Sequence, residues 1–196
     1  LLITAIPLLF LQQRNKKNLT LLKNSNKEEL LRNTSIKLPD KEKLIKLEKH
    51  AKDQGSGIGL NSLIGNWKFV SVWKKDEEEK DSLFSSLLRV FSANIEFKKD
   101  TSTEDLYKFS IITSIKFGIL TIVFSGSGFL SGDRPILMYF FNVIELHSGP
   151  NVLLRKTLRE PIAEEKSVFA LIALEESGEW LSARSQGGEL VLWLKG

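Results

Sequence analysis

The sequence predicts a mainly β protein whose antiparallel strands close into a barrel, and three observations predict it. From Gly65 onward hydrophobicity alternates with a period of two, about nine such runs follow one another, and short turns rich in glycine and proline separate them. A run of this kind has one apolar face and one wet face, and short links make neighbouring strands antiparallel. A long meander leaves two unpaired edges unless it closes on itself, so a barrel of about eight or nine strands is the expected architecture.

The net charge of +4 divides unevenly. Residues 1–60 hold 12 Lys/Arg against 6 Asp/Glu, whereas residues 61–196 hold 16 against 18. The basicity therefore belongs to an amino-terminal arm, and the barrel domain, residues 61–196, is near neutral.

Residues 1–24 read as a flexible apolar and basic tail or targeting remnant. Leu1 to Leu11 is apolar apart from Thr4, carries Pro7, and is followed by Arg14, Lys16 and Lys17. That apolar stretch is too short to cross a bilayer as a helix, and peripheral membrane contact through the arm is the second reading.

Residues 25–60 read as a helical arm ending in a glycine-rich hinge. A short helical stretch is expected from Ser25 to Arg32. A clearer helix starts at Pro39-Asp40, with Asp40 as its cap and Leu44, Leu47 and Ala51 on one face. Gly55-Ser56-Gly57-Ile58-Gly59 follows no strand and precedes no Gly-Lys-Ser/Thr, so it reads as a hinge and not as a phosphate loop.

The strands follow in order: Trp67 to Lys74, Ala93 to Lys98, Tyr107 to Phe117, Ile119 to Ser125, Leu137 to Leu146, Val152 to Lys156, Ser167 to Leu174, Glu179 to Arg184 and Leu190 to Leu194. Turns are expected at Ser125-Gly126-Ser127-Gly128, Ser131 to Pro135, His147 to Pro150, Ser177-Gly178 and Gly187-Gly188. One helix is expected between the first two strands, after the solvated acidic run Asp76 to Glu79. There Ser82 caps an apolar stripe of Leu83, Phe84, Leu87, Leu88 and Phe91.

Catalytic chemistry has little material. The chain has no cysteine, which excludes thiol catalysis, disulfides and Cys-based zinc sites. His50 and His147 have no histidine or cysteine partner at ligand spacing, so no metal site is expected. Ser127 lacks the glycine spacing of a nucleophile elbow. The pairs Glu164-Glu165 and Glu175-Glu176 are adjacent residues that lie in loops or alternate across a strand. Arg155, Lys156 and Arg159 have no interleaved aromatics, so nucleic acid is not an expected partner.

What remains is a supply of inward-facing aromatics: Trp67, Phe97, Tyr107, Phe109, Phe124, Phe140 and Trp193. They either pack a core or, for Phe97, Tyr107, Phe109, Phe124 and Phe140, line a cavity that takes an apolar ligand at the barrel mouth. Arg184 closes the penultimate strand, and barrel closure would bring its guanidinium over Trp67 as a cation–π pair that braces the end of the barrel.

A Gly-x-Trp opening a strand, here Gly65-Asn66-Trp67, is how lipocalin-like barrels begin. Leu63-Ile64-Gly65-Asn66-Trp67-Lys68-Phe69 resembles the Leu-x-Gly-x-Trp-x-Leu start of the plastid lipid-associated protein family, the fibrillins. Ala183-Arg184-Ser185-Gln186-Gly187-Gly188-Glu189-Leu190-Val191-Leu192 resembles that family's Ser-Arg-Gly-Asn-x-Gly-Asn-Leu-Phe-Val close, with Arg184, Gly188 and Leu190 in register. Leu181, Ser185 and Glu179 depart from the family pattern.

The resemblance implies a lipocalin-like barrel in a plastid or cyanobacterial cell, at or beside the thylakoid. It implies a noncatalytic binder of a hydrophobic small molecule of the isoprenoid lipid, quinone or carotenoid class. Two alternatives remain at this stage: a chromophore lyase that handles an open-chain tetrapyrrole on a similar barrel, and a structural assembly factor of a photosynthetic membrane complex that holds no ligand.

Overall fold

The structure, a computed structural model, describes residues 37–74, 93–100, 108–133, 135–162 and 166–196. The expected tail, the stretch Ser25 to Arg32, the helix from Ser82 to Phe91, Tyr107, Arg134 and Glu164-Glu165 lie outside the described residues.

Helix α1 (Lys41–Gln54) begins where Asp40 accepts a hydrogen bond from the Lys43 amide at 2.8 Å, and it ends at Gly55, whose φ of 82° suits glycine. Leu44 and Ala51 are buried on its inner face. A short helix α2 (Leu60–Leu63) leads into the sheet. The expected glycine-rich hinge is the connection between them. Ile58 and Leu60 are buried in the core, a Cβ on Gly55 would strike the Asp133 backbone, and Leu38 to Gly196 form one compact unit.

Nine strands follow: β1 (Gly65–Trp73), β2 (Asn94–Lys99), β3 (Lys108–Phe117), β4 (Leu120–Ser131), β5 (Ile136–Ser148), β6 (Asn151–Thr157), β7 (Ser167–Leu174), β8 (Trp180–Ser185) and β9 (Leu190–Lys195). All pairings are antiparallel, and the order β4-β3-β2-β1-β9-β8-β7-β5-β6 closes through a β4–β5 ladder into a ring. Strand β6 stands outside the ring. The first part of β5 pairs with β7 through Ile136 to Tyr139, and its last part pairs with β6 through Val143 to Ser148.

The residues Ser125 to Gly128 are strand and not a turn. Gly126 and Gly128 carry no side chain because a Cβ there would overlap the Phe140 carbonyl and the Phe109 ring. Strand β4 instead runs on to Ser131 and reverses into β5 at Gly132-Asp133, where Gly132 has a φ of 83°, while β3 turns into β4 at Gly118-Ile119, where Gly118 has a φ of 59°.

The inner face is read from the registers. Phe69 faces Trp193, Leu181 faces Trp193, Ala183 faces Leu171, Leu137 faces Phe169, and Ile111 faces Phe97. With Trp67, Ile95, Phe109, Tyr139 and Val191 these form one buried cluster, which Ile58, Leu60 and Leu63 join from the α2 side. Beta-bulges keep the phase where the strands bend. The extra residue Asn142 lets Phe141 and Ile144 share a side, and its carbonyl accepts from the Leu158 amide at 2.7 Å.

Candidate functional site

The end of the barrel at the start of β1 is plugged. Trp67 is fully buried and its indole Nε1 donates to the Leu63 carbonyl at 2.7 Å, which ties β1 to α2. The cation over Trp67 is Lys195, its neighbour in register on β9, with Nζ 5.3 Å from the ring centroid. The expected Trp67–Arg184 pair is therefore corrected. Arg184 alternates to the outer face of β8, where Nε donates to Glu48 Oε1 at 3.0 Å, Nη2 to Glu48 Oε2, and Nη1 to the Gly188 carbonyl at 2.7 Å. Trp67 on β1 lies opposite Lys195, whereas Arg184 pairs with Leu190, which faces Trp73, so the two side chains sit at opposite ends of the sheet as well as on opposite faces.

The expected ligand-binding aromatics separate into different places. Phe97 and Phe109 meet edge to face at 5.5 Å and are buried in the core, with Phe109 seated over the bare backbone of Gly128. Phe140 does not face inward. It pairs with Ser127 on the outer face, where Lys166 lies 4.8 Å from its ring centroid, and Tyr139 takes the inward position next to it. The cause is the bulge at Asn142: Phe140 has the spacing of the inward Ile144 and Leu146, and the extra residue puts it on the other face. Phe124 does share the inner face, at its upper limit.

Phe124 also ends a chain of rings. Trp193 meets Phe169 at 5.4 Å, Phe169 stacks on Tyr139 at 5.5 Å, Tyr139 meets Phe141 at 5.6 Å, and Phe141 meets Phe124 at 5.6 Å. Burial pushes the Tyr139 phenol far above its ordinary pKa, against a smaller opposing effect of its hydrogen bond with Ser167. This phenol is a neutral core group.

Beyond Phe124 the inner face continues where, among the described residues, β2 no longer accompanies β3. The row Ile115, Ile122, Leu146 and Leu154 runs across β3, β4, β5 and β6, and Phe117 pairs with Leu120 one step farther along. Toward the core the preceding row is Thr113, Phe124, Ile144 and Lys156. Ile115, Phe117, Leu120, Ile122, Ile144 and Leu146 are all half-buried, in contrast to Phe109, Ile111 and Tyr139 deeper on the same face, which are buried. The opposite face of the same strands carries Ser110, Ser114, Lys116, Thr121, Glu145 and His147. This is an apolar patch continuous with the core, the composition of a site that holds an apolar molecule.

The sequence reading missed Ile115, Ile122, Ile144 and Leu146 as site residues. The available signal was length: β3, β4 and β5 run ten, twelve and thirteen residues against six in β2, so they must outreach it.

Other chemistry-bearing groups are spread apart. His147 Nε2 lies 2.9 Å from Glu145 Oε2, and Arg155 Nε lies 3.5 Å from Glu145 Oε1. His50 is exposed on α1, and Ser127 lies inside β4. Among the described residues no group of three metal-ligating side chains comes together, and no helix is long and apolar enough to cross a membrane. Compared with known proteins, the chain matches no family model and no curated protein.

Proposed function

We propose that this protein binds or carries a hydrophobic small molecule of the isoprenoid lipid, quinone or carotenoid class, held against the apolar patch of β3, β4 and β5. The observation that carries the reading is the row Ile115–Ile122–Leu146, half-buried and in phase with the core face of the barrel. A long, flat apolar molecule lying along this row would lose its water contact against aliphatic side chains and the Phe124 ring. Removal of apolar surface from water drives such binding at about 25 cal/mol per Å². The ligand class and a setting beside a photosynthetic membrane rest on the fibrillin resemblance of the two ends of the domain.

The test is equilibrium binding of a short-tailed isoprenoid quinone, read by quenching of tryptophan fluorescence, for the native chain and for Ile122→Asn and Leu146→Asn. Both positions are half-buried, so the variants are expected to keep their fold, checked by circular dichroism. Each change removes roughly 50 Å² of apolar contact, which predicts close to a tenfold loss of affinity. Absence of quinone binding by the native chain, or equal binding by folded variants, defeats the reading.

A further inference from the structure

We propose that two neighbouring hairpin tips, at the end away from the Trp67 plug, form a surface that docks on an anionic phospholipid bilayer. The register places Leu120 opposite Ser148, so the β3–β4 turn at Gly118-Ile119 and the β5–β6 turn at Gly149-Pro150 lie side by side. Ile119 is 79% exposed, and Val152, Leu153 and Leu154 beyond the second turn are 51%, 56% and 62% exposed. Among the described residues these four are most of the large hydrophobic side chains left in solvent, the others being Ile45 and Ile162. Their concentration on two adjacent tips is what an isolated exposed aliphatic lacks.

Cations frame them. Lys116 stands at the base of the first tip, and Arg155 and Lys156 follow the second, all exposed. The acid within this region, Glu145, is engaged by His147 and Arg155. Aliphatic tips that enter the headgroup region, with Lys and Arg beside them at headgroup depth, match an anionic membrane surface in both polarity and charge.

A second copy is the poorer occupant. Burying this surface against its own twin would put two sets of the same cations, Lys116, Arg155 and Lys156, into one interface, a like-charge arrangement that costs free energy. This inference does not rest on the ligand reading. Its test uses lipid alone, and either one can fail without the other.

The chain has no cysteine, so Ile119→Cys supplies a single thiol for an environment-sensitive nitrobenzoxadiazole label, and Ser177→Cys supplies the control. Ser177 lies in the β7–β8 turn, at the opposite end of the strands. With vesicles of equal parts phosphatidylglycerol and phosphatidylcholine, the label at Ile119 is expected to shift to the blue and to lose accessibility to an aqueous quencher. The label at Ser177 is expected to remain unchanged. Pure phosphatidylcholine vesicles should produce a much smaller shift, and high salt should reverse the anionic one.

The double change Arg155→Glu and Lys156→Glu should cut cosedimentation with anionic vesicles by roughly tenfold or more, since each cation near such a surface is worth about a factor of five. Absence of cosedimentation by the native chain overturns the proposal. So does cosedimentation without a shift at Ile119, which would place the lipid contact elsewhere on the chain, or an equal shift at Ile119 and Ser177. A shift at Ile119 that grows with protein concentration in the absence of vesicles would assign the surface to a second copy instead.

Discussion

Arg184 on β8 grips Glu48 on α1 with two guanidinium nitrogens and spends a third on the Gly188 carbonyl of the β8–β9 turn. One side chain thereby joins the helix, the strand and the turn. Both partners are largely shielded, with side-chain exposures of 23% and 14%, so the pair is stronger than an exposed ion pair. Arg184→Ala and Glu48→Ala should each cost about 1–3 kcal/mol in denaturant unfolding. Arg184→Lys should recover little, because an ammonium cannot make the two-pronged contact. Additive losses in the double mutant would refute a direct coupling.

The same pair predicts an acid dependence. Burial pushes the Glu48 carboxyl up, but the Arg184 hydrogen bond and charge, joined by Lys52, outweigh it and hold the pKa below its usual 4.5. A carboxyl whose folded pKa is depressed stabilises the fold in full above its unfolded value and loses that contribution as pH falls through the folded value. Urea midpoints measured from about pH 6 down to pH 3 should therefore fall through the acid range, and Glu48→Gln should flatten part of that fall. A Glu48→Gln curve parallel to the native one would show that the linkage lies in other carboxyls.

Much of this fold was legible because period-two alternation is a backbone property that a strand cannot hide: Phe109, Ile111, Phe97 and Ile95 sit on the face that their spacing assigns. The errors came from contacts made across the sheet. Gly126 and Gly128 look like turn residues by local chemistry, and only the Phe109 ring and the Phe140 carbonyl lying over them explain their place in β4. Phe140 was misplaced for another nonlocal reason, the bulge at Asn142 that puts it out of phase with Ile144 and Leu146. Arg184 was placed correctly in sequence and on the wrong face, since its partner Glu48 lies 136 residues away and nothing local signals it.

The two strand glycines should respond differently to a methyl group. At Gly128 the Cβ would overlap the tip of the Phe109 side chain, with the Met138 carbonyl 2.9 Å away, whereas at Gly126 it would overlap backbone at Phe140 and Phe141. A ring can be shortened and a ladder cannot. Gly128→Ala should cost about 1–3 kcal/mol, and Phe109→Leu added to it should cost less than the sum of the two single changes. Gly126→Ala should cost more, and Phe109→Leu should give no relief, as read from melting temperatures of the three single and two double variants.

Tyr139 predicts the behaviour in alkali. Its folded pKa is raised, so the neutral phenol is favoured in the fold. Its contribution is complete below the unfolded value near 10 and declines as pH rises above that value, where unfolding releases the phenolate. Absorbance at the phenolate band in a Tyr107→Phe background should therefore rise together with loss of the folded circular dichroism signal. Ionisation of Tyr139 while the fold persists would contradict its burial between Phe169 and Phe141.

Trp67 separates two cations, Arg184, which the sequence offered as its partner, and Lys195, which the structure places over its ring. Lys195 is exposed and lies over the indole, so Lys195→Met, which keeps the aliphatic stem, should cost about 0.5–1 kcal/mol. Trp67→Leu removes the ring, empties volume in the plug and leaves the Leu63 carbonyl without its donor, for about 2–4 kcal/mol. If Lys195 acts through the ring, Lys195→Met should cost almost nothing once Trp67→Leu is in place. Arg184→Ala should keep its full cost in that background, because its partners are Glu48 and Gly188. Double-mutant cycles on denaturant unfolding read both terms, and coupling of Arg184 with Trp67 above about 0.5 kcal/mol would restore the pairing that strand alternation forbids.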